Sequence, residues 1–269
     1  YLGFYASRWY SSECAEAITA YGRHYIKKVI DAAETNGLRT IYSDTDSVFI
    51  LLDGKSKEDA KQFMDDINLQ LPGIMELEYE NLYPRALFVH AKGSLLGAKK
   101  KYALVDEKGN FKIIGFESVR SNYSLIAKQT QKEVIRLVLS EESREMALNF
   151  VQRVIHDIQE KKIPLEKMII HTQLLKPLAQ YDTKAPHVVV ASKMKAKGLN
   201  VEPKTTIRYV ITTGSEKISE RARMPEEITD NDYDPDYYIN NQVIPAVDSI
   251  FKVFAFLLLK KHQTQHSAC

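Results

Sequence analysis

Apolar residues Ala15, Ile18, Gly22, Tyr25, Ile26, Val29 and Ala33 recur at helical spacing near the start of the chain. Ser11-Ser12 precede them with capping hydroxyls, Glu13 and Glu16 place acids in the first turn, and Asn36-Gly37 supplies a stop. The pattern predicts one long helix. The period then changes. Leu38-Arg39-Thr40-Ile41-Tyr42 is β-prone, Ser43-Asp44-Thr45-Asp46-Ser47 is polar, and Val48-Phe49-Ile50-Leu51-Leu52 is apolar. Strand, acidic turn and strand make a β-hairpin over 38–52.

Ser56-Lys57-Glu58-Asp59 is a capping-box pattern, and Ala60, Phe63, Met64, Ile67 and Leu71 continue it as an amphipathic helix that Pro72-Gly73 ends. Strand patterns follow at Ala86-Leu87-Phe88-Val89, Lys101-Tyr102-Ala103-Leu104-Val105 and Phe111-Lys112-Ile113-Ile114. Glu107-Lys108-Gly109-Asn110 turns the chain between the last two. Beyond residue 117 the helical period returns. Tyr123, Ile126, Ala127, Thr130, Val134, Leu137 and Val138 form one stripe; Ala147, Phe150, Val151, Val154, Ile155 and Ile158 form another. A helix from Ala185-Pro186-His187, a short strand at Arg208-Tyr209-Val210-Ile211-Thr212 and a final helix over 237–256 complete the reading. The expected class is α+β, with a mixed strand-and-helix domain over 1–116 and a mainly helical domain over 117–269.

The 269 residues suffice for one large domain or two small ones. Lys plus Arg is 37 against 35 acids, a net charge of +2. That total hides local fields. Lys184, Lys193, Lys195, Lys197, Lys204 and Arg208 share their stretch with the single acid Glu202, and Lys99-Lys100-Lys101 is a second basic cluster. The stretch 225–238 is acidic instead, with Glu226, Glu227, Asp230, Asp232, Asp234 and Asp236. Cys14 and Cys269 exclude a disulfide framework and a cysteine-based zinc site. The apolar run at 254–259 is too short to span a bilayer, and no secretory signal is visible. The chain opens at Tyr1 in apolar, aromatic sequence, which reads as a piece of something longer.

The sharpest chemical feature is Asp44-x-Asp46. Carboxylates at i and i+2 of an extended chain project to one side. They repel each other unless a cation lies between them or one is protonated. Mg2+ accepts a few carboxylates and completes its octahedron with water and phosphate oxygens, the arrangement of two-metal phosphoryl transfer. An isolated Asp-x-Asp reads more readily as a polar turn. Here the surrounding sequence decides otherwise.

The string Tyr42-Ser43-Asp44-Thr45-Asp46-Ser47 between two apolar strands resembles motif C of the family B DNA polymerases. Arg8-Trp9-Tyr10, Glu13-Cys14-Ala15-Glu16 and Thr19-Ala20-Tyr21-Gly22-Arg23 are similar to the family segment after motif B. Lys99-Lys100-Lys101-Tyr102-Ala103 resembles its Lys-x-Tyr element, which contacts primer-template DNA, and Gly115-Phe116-Glu117-Ser118-Val119-Arg120 resembles the start of the thumb. Pro186-His187-Val188-Val189-Val190-Ala191 and the run Tyr237-Tyr238-Ile239-Asn240-Asn241-Gln242-Val243-Ile244-Pro245-Ala246-Val247 resemble archaeal members. The likeness covers nearly the whole chain, in order.

The resemblance implies a partial palm with an antiparallel sheet and the motif C hairpin over 1–116, and a mainly helical thumb over 117–269. It implies template-directed nucleotidyl transfer to a primer 3′ hydroxyl. Asp44 and Asp46 are then the catalytic and metal-binding carboxylates of two Mg2+ ions, with Mn2+ a substitute. Tyr42, Thr45 and Ser47 shape the hairpin and the primer terminus. Lys99, Lys100, Lys101, Tyr102, Arg120, Lys193, Lys195 and Lys197 are the implied DNA contacts, and phosphate contacts carry no sequence information. Glu78 and Glu80 lie where the family has acids near the metals, but exposed positions in an acidic strand are the preferred reading of them.

The chain also departs from the family. Arg120-Ser121-Asn122-Tyr123 stands where thumbs often carry Arg-Arg-Asp-Trp, and Gly93-Ser94-Leu95-Leu96-Gly97-Ala98 is extra length. The C-terminal cysteine pairs of eukaryotic members are missing. Motif A with its Asp, motif B with its nucleotide-handling Lys and Asn, and the exonuclease domain would lie upstream of Tyr1. The expected partners are therefore primer-template DNA, dNTP and an N-terminal polymerase portion in the same or a separate chain, with a sliding clamp as a further one and no membrane. The expected location is cytoplasmic, at the nucleoid. The alternatives are a catalytically incompetent DNA-binding subunit of polymerase descent and, more distantly, another two-metal enzyme such as a nuclease.

Overall fold

The computed structural model describes residues 1–91, 97–140 and 144–253. Most of the 93–98 insertion, the apolar run at 254–259, the end of the last predicted helix, and Cys269 lie outside the described residues. The chain forms two compact units, Tyr1–Leu82 and Tyr83–Cys269.

In the first unit, helix α1 (Ser12–Thr35) starts at Ser11, whose hydroxyl accepts from the Cys14 N–H. Such a cap is worth about 1 kcal/mol. The helix ends through Asn36 and Gly37, and Gly37 takes the left-handed φ of 69° that a Cβ would oppose. Strands β1 (Arg39–Asp44) and β2 (Ser47–Leu51) form a two-stranded antiparallel sheet. Helix α2 (Lys57–Asn68) has the predicted capping box: Ser56 Oγ accepts from the Asp59 N–H, and Asp59 Oδ2 accepts from the Ser56 N–H. It ends at Asn68, ahead of the Pro72-Gly73 stop. Val29, Ala33, Leu38, Phe63 and Ile67 are the buried core, with Val48 and Ile50 of β2 packed against it.

In the second unit, β3 (Arg85–His90), β4 (Gly97–Val105) and β5 (Phe111–Ile114) form an antiparallel sheet in the order β3-β4-β5. Helices α3 (Leu125–Leu139) and α4 (Arg144–Gln159) follow. The far half of α3, with Val134, Ile135 and Leu137, shares a core with Leu87, Val89, Ala103 and Phe116 of the sheet region. The near half, with Ile126 and Ala127, enters a second core. The change from strand to helix near residue 117 therefore does not separate the compact units. Helix α3 runs through both cores, and Arg85 Nη1 donates to the Leu139 carbonyl at 2.6 Å, satisfying an acceptor at the helix end.

The stretch predicted as mainly helical also contains a second three-stranded antiparallel sheet. After the short α5 (Leu165–Met168), strand β6 (Ile170–Gln173) pairs with β7 (Thr206–Ile211), which pairs with β8 (Ala222–Arg223). The sequence reading found β7 alone. Strands β6 and β8 are too short to show a period of two, and long-range pairing supplies the hydrogen bonds that their own sequence does not announce. Helix α6 (Pro186–Ala196) packs on this sheet. Helix α7 (Pro235–Tyr238) opens on Asp234, whose side chain accepts from the Tyr237 N–H. It widens to a π turn over Ile239–Val243 and continues as helix to residue 253.

Candidate active site

The Asp-x-Asp segment lies at the tip of the first unit's hairpin. Asp44 pairs with Ser47, so the connection is Thr45-Asp46 alone, a tight turn within the five polar residues. Neither Thr45 nor Asp46 takes a positive φ. The mirror-image turns common in two-residue hairpins need such angles, so this turn is of a different kind. Asp44 Oδ1 accepts from the Thr45 N–H at 3.0 Å and the Thr45 hydroxyl at 3.3 Å, which holds the turn locally.

The expectation that both carboxylates project from one extended strand is corrected. Asp44 ends β1, half-buried, whereas Asp46 is exposed in the turn. Alternation governs Asp44 but ends where the strand ends. Two further features shape the tip. The register shifts between Thr40 and Tyr42, leaving Ile41 as a bulge that twists β1. Gly22 of α1 brings its backbone beneath the turn, where a Cβ would meet the Thr45 carbonyl at 3.6 Å. Tyr42 and Phe49, cross-strand partners, hold their rings 5.8 Å apart. Thr45 is exposed and Ser47 half-buried at the start of β2.

Both carboxylates are hard oxygen donors of the kind Mg2+ selects. Among the described residues no group of three or more His, Cys, Asp or Glu side chains is placed to hold a metal ion. The donor set fits Mg2+ in kind and is small in number.

The Lys99–Lys101 cluster belongs to the second unit. Phe88 pairs with Tyr102 and His90 pairs with Gly97, so Ala98, Lys99, Lys100 and Lys101 all face the single residue Val89. This wide bulge carries Lys99 and Lys100 on its exposed side. Lys100 adopts φ 56°, uncommon for a residue with a Cβ. Lys101 turns the other way. Its ammonium lies 2.9 Å from Glu117 Oε1 and 5.2 Å from the Phe116 ring centroid. Tyr102 is buried, with its ring 5.6 Å from that of Phe88. The Lys-rich run is therefore two exposed lysines followed by two inward-facing residues. Burial alone would raise the Glu117 carboxyl. Hydrogen bonds from Lys101 and Gln131, with the Lys101 charge, outweigh it and hold the group below its ordinary value of 4.5. Arg120 is exposed and donates to the Gly115 carbonyl at 3.4 Å.

The basic stretch of α6 meets the acidic stretch that follows β8. Lys197 pairs with Glu227, and Arg208 lies 3.3 Å from Glu226. Lys193 donates to the Ala222 carbonyl at 2.9 Å; burial, then the Arg223 charge, lowers its pKa. Lys195 is exposed. Two ion pairs thus join the opposed patches seen in the sequence, a partial cancellation that linear charge counting does not reveal.

Sequence reasoning missed the Ile41 bulge, the place of Gly22 under the turn, and Gln131. Gln131 did carry a signal, an amide beside Thr130 on the apolar face of α3. Glu78 and Glu80 fall in an irregular segment of the first unit, and both are exposed.

The family model for DNA polymerase family B matches residues 1–254. A DNA polymerase of Thermococcus sp. (strain 9oN-7) is 40% identical over 263 residues, covering 95% of this chain and 33% of that protein. One of Methanocaldococcus jannaschii is 44% identical over 252 residues, covering 92% of this chain and 15% of that protein. The solved family B DNA polymerase of Pyrobaculum calidifontis superposes with a TM-score of 0.66 at 34% identity, covering 91% of this chain and 31% of that one. The chain thus spans a third or less of the length of these relatives.

Proposed function

We propose that this chain, which belongs to DNA polymerase family B, carries the carboxylate hairpin and part of the DNA-binding surface of a template-directed DNA polymerase. In this reading residues 1–116 are palm and 117–269 thumb. An N-terminal portion, in the same or a separate chain, supplies motif A, the fingers and the exonuclease. The single observation that carries the proposal is the Asp44–Ser47 pairing, which closes the hairpin so that Asp44 ends a strand and Asp46 stands exposed at its tip. Among the described residues no helix is long and apolar enough to cross a membrane.

The reaction joins the primer 3′ oxygen to the α-phosphorus of a dNTP and releases pyrophosphate. Asp44 and Asp46 are the two residues of this chain that would hold Mg2+ or Mn2+, and a bound metal supplies charge neutralisation and acidifies the primer hydroxyl. The chain's own contribution is positioning and charge placement rather than covalent chemistry. The hydrogen bonds from Thr45 fix the Asp44 carboxylate, and Gly22 supports the turn from below. Tyr42 and Ser47 flank the carboxylates and shape the place of the primer terminus. Lys99, Lys100, Arg120 and Lys195 contact phosphates of the primer-template, independently of sequence. Lys101, Tyr102, Lys193 and Lys197 hold the walls that carry them.

The test is primer extension by the full chain combined with the upstream polymerase portion. Asp46→Asn is expected to abolish extension and leave DNA affinity within about twofold, because one surface carboxylate is a minor part of the phosphate-binding energy. Retained extension would refute the carboxylate role. Extension absent from the wild type as well would favour a DNA-binding subunit without catalysis.

A further inference from the structure

We propose that Glu117 and Gln131 are positioning residues for nucleic-acid binding, holding Lys101 inward and thereby fixing the β4 bulge that presents Lys99 and Lys100 to DNA phosphates. The inference rests on the DNA-binding reading above and deepens it.

Four residues of β4 stand opposite one residue of β3, so ladder hydrogen bonds cannot set their conformation. A left-handed Lys100 is unfavourable unless its surroundings impose it. Those surroundings lie on the C-terminal side of the bulge. The Lys101 side chain is 17% exposed and that of Glu117 10%, so each charge would be costly alone. They meet at 2.9 Å. Gln131, fully buried on α3, donates to Glu117 Oε2 at 2.7 Å and also to the Ala246 carbonyl, and its own Oε1 accepts from the Ser118 N–H at 2.6 Å. The network joins β4, the turn after β5, α3 and the final helix. With its carboxylate and amide groups engaged, it is the kind of closed polar network that favours one conformation.

The consequence is a division of labour among three consecutive lysines. Lys101 is an internal anchor neutralised by Glu117. Lys99 and Lys100 lie outside it, at a fixed angle. Removing the Glu117 charge leaves the Lys101 ammonium buried and unpaired, so Lys101 turns outward and the bulge loses its register. Phosphate contact then weakens although no exposed lysine has changed.

The experiment measures how the affinity of the full chain for a duplex primer-template depends on salt. Each lost phosphate contact lowers the slope of log K against log salt by about 0.9. Lys99→Ala/Lys100→Ala is expected to lower it by about 1.8. Glu117→Gln is expected to lower it by about 0.9 or more, and to add nothing further in the double-lysine background. A purely structural role would reduce the melting temperature and leave the slope of the folded protein unchanged. Glu117→Asp, which keeps the charge on a shorter arm, is measured in parallel; it serves alone if Glu117→Gln does not fold, and a lowered slope supports the proposal. A wild-type slope in the folded Glu117 variants, with the double-lysine variant impaired, would overturn the positioning role and leave the DNA-binding reading standing. A wild-type slope in the double-lysine variant would overturn both.

Discussion

A Cβ on Gly115 would lie 1.7 Å from the carbonyl oxygen of Lys100, so the two backbones meet where only glycine fits. Gly115 also takes a φ of 69°, which L side chains avoid. The contact closes the base of the β4 bulge, immediately before Lys101 turns inward to Glu117.

Gly115→Ala therefore forces the β4 and β5 backbones apart. The expected cost is about 3 kcal/mol, combining backbone strain with a steric clash. A chemical denaturation curve with a lowered midpoint and an unchanged slope would report it. A midpoint equal to the wild type would mean that the contact is not kept in solution.

Gly22 predicts the opposite sign. It lies inside α1 without a positive φ, and a Cβ there meets the Thr45 carbonyl at an ordinary 3.6 Å. Gly22→Ala should stabilise the chain by about 0.5–1 kcal/mol through helix propensity. Gly22→Val extends past that contact and should push on the turn that carries Asp46. Primer extension should then fall more steeply than stability. Equal extension by the two variants would remove Gly22 from the support of the hairpin.

The Glu117 carboxyl predicts a pH dependence. Its folded pKa is held below the ordinary 4.5, so its ion pair contributes fully above about pH 4.5 and is lost as pH falls through the lower folded value. Melting temperatures of wild type and Glu117→Gln should differ most at neutral pH and converge in acid. The other depressed carboxyls, such as Asp59 and Asp106, are common to both proteins and cancel in the difference. A gap that is constant with pH would show that the charge of Glu117 contributes no stability.

Much of the local structure was written in the chain. The hydroxyl of Ser11, the Ser56-Asp59 box and Asn36-Gly37 mark helix ends because capping is a contact between near neighbours. The Asp44-x-Asp46 hairpin was legible for the same reason, since two β-prone runs flank a polar turn. The family likeness was legible because it rests on ordered short motifs.

What the sequence left open depends on distant residues. Strands β6 and β8 have too few residues to carry a period and exist by pairing with β7. The acids of 225–238 and the bases of 184–208 read as separate patches until folding sets Glu227 on Lys197 and Glu226 near Arg208. The three lysines of 99–101 look alike in sequence. A register shift against Val89, a glycine just after the next strand and a carboxylate beyond it turn one inward and leave two exposed. Local chemistry is a property of neighbours along the chain and can be read there. The direction a side chain faces is fixed by partners that only the tertiary structure brings together.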